Sequence, residues 1–257
     1  MDDLAIAYSL HASDGTILAE RLGSEPFYAA STIKLAVMLA AAIEIDNGRA
    51  SLGEQLVCRR LFDSGVQGAR PFRLDGDRCD PEFPADGELV SIANLIDVMI
   101  SRSSNEATNL LVDRIGLDAV SKAIALCGLR HTTMERRIGD VTADELGMTN
   151  TVSAHDLAAI MRTIVTGRLT SPDTSSIMLD ALAGQRYRRI TAAFPDSVPF
   201  GSKSGEIPGV VHDVAFVGDP ESDRVLYLAV CTRGYEEAEG IEVIAALAES
   251  LLAAVRP

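Results

Sequence analysis

The chain of 257 residues has no tryptophan, four cysteines, four histidines, and only three lysines against twenty arginines. Each shortage narrows the possibilities. None of Cys58, Cys79, Cys127 and Cys231 stands in a Cys-x-x-Cys pair, which argues against a zinc or redox centre. Cys58 and Cys79 flank an irregular segment and could close a disulfide in an oxidising compartment, but four separate thiols is the plainer reading. His11, His131, His155 and His212 show no metal-ligand spacing, so neither a metal nor a cofactor is expected. A net charge of -14 argues against nucleic acid and anionic membrane as partners. No apolar run approaches the roughly 20 residues that a membrane-spanning helix needs. The opening Met1-Asp2-Asp3-Leu4 is acidic where a signal peptide would be basic. That predicts a cytoplasmic protein, or a secreted or periplasmic one if a leader has been removed.

The rare lysines are the most informative residues present. Arginine cannot give up its proton in a protein, whereas lysine can. Lys34 closes Ser31-Thr32-Ile33-Lys34, and Lys203 opens Lys203-Ser204-Gly205. From Leu35 to Ile43 every residue is apolar, which predicts a buried helix over Ser31–Asp46, stopped by Asn47-Gly48. On such a helix Lys34 lies one turn from Ser31 on the same face. Lysine is seldom fully buried without a partner, so a lysine beside a serine here is a candidate base for a nucleophile. The plainer alternative makes Ser31 a helix N-cap.

Elsewhere the pattern alternates between strand and helix. Leu4–Leu10 and Thr16–Arg21 read as strands joined at Ser13-Asp14-Gly15. The stretch from Asp63 to Glu88 has no sustained period and reads as a long loop. Helices are predicted over Val90–Ile100, Glu106–Ile115, Leu117–Leu126 and Ala154–Thr166, with Gly128–Val152 irregular. Strands are predicted at Phe200–Ser202, Val210–Val217 and Val225–Thr232, followed by a terminal helix over Glu236–Val255. These elements imply an α/β (α+β) domain with a discontinuous core. Residues 1–30 and 198–257 would build a five-stranded antiparallel sheet flanked by helices, and residues 31–197 an all-helical lobe. A ligand site is expected at the seam between the lobes.

Ser103-Ser104-Asn105, between two predicted helices, can be read as a cap cluster for the second. In the order Ser-x-x-Lys, Ser-x-Asn, Lys-Ser-Gly, the chain resembles the class A β-lactamases and penicillin-binding proteins. The resemblance extends through Met99–Leu111 almost residue by residue, and from the first strand to the last helix. It implies a serine hydrolase that forms a covalent acyl-enzyme with a small-molecule acyl donor, a β-lactam or a peptide-like amide. Ser31 would be the nucleophile and Lys34 its base. Ser103 would relay a proton to the leaving nitrogen, and Asn105 would hold Lys34 and the substrate amide. Lys203 would supply positive potential, Ser204 would bond a carboxylate, and Gly205 would complete the motif. The N–H groups of Ser31 and Glu206 would form the oxyanion hole.

The chain also departs from that family. Where class A enzymes carry the glutamate that activates the deacylating water, Ile138 stands here, two residues after Arg136. Asp140 is the expected substitute base, with Glu135 a second choice. The family's N-terminal helix is expected to be absent, since the first predicted strand begins at once, and the segment from Gly68 to Glu88 looks like an insertion beside the cleft. Glu206 and Asp213 add acidic groups where the family is neutral or basic. They are expected to disfavour anionic donors if they face the substrate, and to do nothing if they point outward or pair with arginines.

Overall fold

A computed structural model describes residues 4–195 and 197–254, and in it the two ends of the chain meet in one sheet. Strands β1 (Ala5–His11) and β2 (Ile17–Arg21) form the expected hairpin, with Gly15 at the turn in a positive φ of 91°. Strands β3 (Phe200–Ile207), β4 (Val210–Val217) and β5 (Leu226–Arg233) return from the far end. The order is β3-β4-β5-β1-β2, and every neighbouring pair is antiparallel. β3 is therefore one edge of the sheet and β2 the other. β3 runs five residues past the predicted Ser202, because its polar continuation is held by register against β4: Lys203 opposite Val214, Ser204 opposite Asp213.

The helices are α1 (Lys34–Asp46), α2 (Ile92–Ser101), α3 (Asn105–Ile115), α4 (Leu117–Leu126), α5 (Val141–Glu145), α6 (Ala154–Val165), α7 (Pro172–Ala183) and α8 (Glu237–Ala253). The hydroxyls of Ser91, Ser104 and Ser153 cap α2, α3 and α6 by accepting backbone N–H bonds. The sequence reading missed α7. Its signals were Ser171 at the cap and Pro172 in the first turn. Val255 of the predicted last helix lies outside the described residues.

The central lobe is not purely helical, which corrects the sequence reading. Phe27–Tyr28, Thr133–Met134 and Asn150–Val152 form a small sheet. Gln55–Val57 pairs with Leu89–Ser91, and Leu61–Phe62 with Phe72–Arg73. Strands of two or three residues leave no readable period, so hydropathy alone could not reveal them.

Two cores flank the sheet. Leu35 to Ala42 of α1 are all buried at the centre of the larger one, which Val214 and Phe216 of β4 also join. Val211, Ala215 and Val217 of β4 face the second core, under Ile244, Ala248 and Leu252 of α8. By the two-residue period of a strand, Lys203 shares the face of its partner Val214, toward the helical lobe, and Asp213 the face of Val211 and Ala215, toward α8. All four cysteines are free thiols. Among the described residues no helix is long and apolar enough to cross a membrane.

Candidate active site

Ser31 sits in a 3-10 turn (Ala30–Ile33) that feeds directly into α1. The turn is tied down on both sides. Thr32 Oγ1 donates to Ala29 O at 2.6 Å, Ala29 N donates to Asn150 O at 2.9 Å, and a His212 ring nitrogen lies 2.9 Å from Tyr28 O. Ala30 is held at a φ of 45°, a conformation an alanine adopts only when its surroundings impose it.

Lys34 is fully buried. Its Nζ donates to Ser103 O at 2.5 Å, Asn105 Oδ1 at 2.8 Å and Ser103 Oγ at 3.2 Å. Ser103 also takes a left-handed backbone, with φ 61°, which turns both its carbonyl and its hydroxyl toward the amine. Burial, reinforced by the charge of Lys203, holds the Lys34 pKa well below the ordinary lysine value; Glu106 and Asp80 oppose the shift. Lys203, also fully buried, donates to Ser103 Oγ at 3.0 Å and to Ser204 O at 2.7 Å. Its pKa falls to about 7, mainly through burial, with Asp213 pulling it back up. The Ser103 hydroxyl thus lies between two amines, both of which shed protons more readily than an exposed lysine.

Gly205 lets the β3 edge approach the nucleophile turn. A Cβ at this position would lie 2.8 Å from Ser31 N and 2.9 Å from Thr32 N, closer than real contacts allow. Ser31, Ser103, Asn105, Ser204, Gly205 and Glu206 together line a cavity of about 230 Å3. Residues 77–82 of the long segment before α2 line it as well. Arg78 O accepts from Asn105 Nδ2 at 2.9 Å, and Asp80 N donates to the buried Glu106 carboxylate at 3.1 and 3.2 Å. The Asn105 amide is therefore split, its oxygen on Lys34 and its nitrogen on Arg78. A second cavity of about 740 Å3 opens on the other side of Ser31, with Tyr28, Ile138, Val141 and Ile207 in its wall.

Two expected site residues, Asp140 and Asp213, lie away from the cleft, and Glu206 takes the arginine pairing that the sequence reading left open. Asp140 lines neither cavity. It is fully buried, caps α5 by accepting from Ala143 N, and accepts from Ser64 Oγ and Gly65 N at 2.9 and 2.8 Å. Its oxygens are committed to holding the loop, which leaves it no part in activating water at Ser31. Asp213 is buried on the α8 side, where one oxygen accepts from Ile190 N at 2.8 Å; burial pushes its pKa up to about 6. It does not line the cleft. Glu206 does line it, but it pairs with Arg189. The two acidic groups are therefore not an unopposed repulsive pair. Glu135, the second choice as base, accepts from Thr149 N at 2.7 Å.

Sequence reasoning missed two residues. Arg189 is buried, and it donates to Gly205 O and His212 O at 3.3 and 3.0 Å, bracing the strand edge at the cleft. Nothing in the run Arg186 to Arg189 marks it out. Asn109 is fully buried and grips residue 138 at both ends, accepting from Ile138 N and donating to Ile138 O, each at 2.9 Å. Its spacing of four from Asn105, on the same face of α3, was the available signal.

The sequence matches the family model for the β-lactamase enzyme family over residues 6–255. The chain belongs to this family. Its structure is similar to that of a β-lactamase from Sphaerobacter thermophilus, with 28% identity, a TM-score of 0.81, and 99% of this chain and 94% of that one covered. It is also similar to PBP-A, with 25% identity, a TM-score of 0.80, and 99% and 91% coverage. A leucine-to-glutamate variant of PBP-A, in an acyl-enzyme complex with penicillin G, matches to the same extent. No curated protein sequence matches the chain. Membership of the β-lactamase family and the shared fold imply a serine hydrolase, either a β-lactam hydrolase or a serine enzyme of penicillin-binding-protein type.

Proposed function

We propose that Ser31 attacks a β-lactam or peptide-like amide, carries the acyl group, and releases it slowly. The observation that supports this reading most is the fully buried Lys34 amine, held by Ser103 and Asn105 one turn from Ser31, with its pKa lowered by burial. As a free amine Lys34 takes the Ser31 proton as Oγ attacks the carbonyl carbon. The oxyanion accepts from the backbone N–H groups of Ser31 and Glu206, each donor being typically worth about 3 kcal/mol. The Ser103 hydroxyl, between the two lysines, passes a proton to the leaving nitrogen. The Lys203 ammonium and Ser204 receive a substrate carboxylate. Ile138 on the cavity wall, where the family glutamate would stand, supports slow release, and thereby a penicillin-binding-protein-like peptidase, transacylase or sensor as the second reading.

The test is intact-protein mass spectrometry over time with benzylpenicillin. A single long-lived adduct is expected, and none on Ser31→Ala. An adduct that survives Ser31→Ala would dismiss Ser31 as the nucleophile. Rapid loss of the adduct from the wild type would make the protein an efficient β-lactamase and remove slow release from the proposal.

The charges around the cleft also predict a pH dependence. A group with a pKa near 7 is half deprotonated at neutral pH, so the positive potential of Lys203 fades as pH rises through 7. The second-order acylation rate reports the free enzyme. For a penicillin that rate should fall between about pH 7 and 8, while for its neutral methyl ester it should fall less. Parallel profiles for acid and ester would show that Lys203 does not read the carboxylate.

A further inference from the structure

The far edge of the sheet assembles a donor set that the sequence spacing hides. We propose that His11 on β1, Glu20 on β2 and His155 on α6 form a transition-metal site, suited to zinc, that clamps these three elements together. One ligand atom from each residue lies within 4.8 Å of both others. His155 Nδ1 and Glu20 Oε1 are already 3.0 Å apart. The two imidazole rings stand edge to face at 5.0 Å. A tetrahedral zinc site with bonds near 2.0–2.1 Å has ligand atoms about 3.3 Å apart, so the set must contract by about 1.5 Å at most. Glu20 and His155 are partly exposed, at 29% and 37%, and have the room to do so.

Two imidazoles and one carboxylate are a zinc donor set that leaves a fourth position for water. Calcium and magnesium, which prefer all-oxygen shells, fit it poorly. Ser9 Oγ ties the set together in the metal-free protein, at 2.9 Å from His11 Nε2 and donating to Glu20 Oε1 at 2.7 Å. One nearby charge opposes a cation. Arg162 lies two turns further along α6, and its guanidinium is anchored at 2.8 Å on both Ser13 O and Asp14 O. Affinity in the micromolar range is therefore expected.

β2 and β3 are opposite edges of a five-stranded sheet, so His11 on β1 and Glu20 on β2 lie roughly 14 and 19 Å across the sheet from the Lys203 strand, at about 4.8 Å per strand. The ion would then act on stability, not on acylation, and the proposal stands or falls independently of the role given to Ser31.

The experiment titrates chelator-stripped protein with zinc chloride by calorimetry and with cobalt(II) by visible absorption. The chains compared are the wild type, His155→Gln and Glu20→Gln, all shown to be folded by circular dichroism. One zinc per chain is expected, with a four-coordinate cobalt spectrum and a zinc-dependent rise in Tm. Each substitution should weaken binding at least tenfold and abolish the rise. Absence of stoichiometric zinc binding to the wild type would overturn the proposal. So would binding that both variants retain undiminished, since the metal would then sit elsewhere.

Discussion

Arginine in place of Lys34 is expected to slow acylation of Ser31 by a penicillin about as much as alanine does, by roughly 10²- to 10⁴-fold, the usual contribution of a positioned general base. Charge and shape both lead to this expectation. A guanidinium stays protonated at any pH a protein survives and so cannot accept the Ser31 proton. The site is also fitted to a single nitrogen: Ser103 O, Asn105 Oδ1 and Ser103 Oγ converge on Nζ within 3.2 Å in a fully buried pocket. A planar fork has no room to satisfy all three acceptors. Lys34→Ala fails differently, leaving buried acceptors unpaired at a cost of about 1–3 kcal/mol each in the worst case, so its melting temperature should fall as well. Stopped-flow acylation with a chromogenic cephalosporin, on both variants, gives the comparison. If Lys34→Arg acylates at close to the wild-type rate, Lys34 serves only as a charge, and the base must be sought elsewhere.

The parts of this site that could be read from the sequence are those whose chemistry is local. Ser31 and Lys34 share one helical turn, Ser103 and Asn105 share one loop, and Lys203 to Gly205 follow one another on a strand. The antiparallel sheet was legible for the same reason, since β1, β2, β4 and β5 each have their own apolar pattern. What could not be read is pairing across the fold. Asp140 is two positions from Ile138, close enough in sequence to suggest a substitute base. Only the positions of Ser64, Gly65 and Ala143 reveal that its oxygens are already taken. Glu206 looked like a repulsive charge until Arg189, seventeen residues earlier, proved to neutralise it. His11 and His155 are too far apart in sequence for any ligand motif, yet their rings are in contact. In each case the residue type was legible and its partner was not, because the partner is chosen by strand order and helix packing.

Glutamate in place of Ile138 is expected to speed release of the penicilloyl group by about a hundredfold or more, within the range a positioned general base supplies. Residue 138 is suited to deliver such a group. Asn109 holds its backbone at both N and O, and the residue lines the same cavity as Ser31. The wild-type isoleucine offers a water nothing to donate a proton to, so the acyl group should persist. Asp140→Asn is the companion variant. It removes a charged acceptor of buried bonds from Ser64, Gly65 and Ala143, which costs about 1–3 kcal/mol. For a chain of this size each kcal/mol lowers Tm by about 2–4 °C. Its deacylation rate should stay at the wild-type value, because Asp140 lines neither cavity beside Ser31. Decay of the mass-shifted adduct, followed for wild type, Ile138→Glu and Asp140→Asn, separates the two roles. If Asp140→Asn traps the acyl group while Ile138→Glu changes nothing, then the loop rearranges on acylation and Asp140, not residue 138, governs the water.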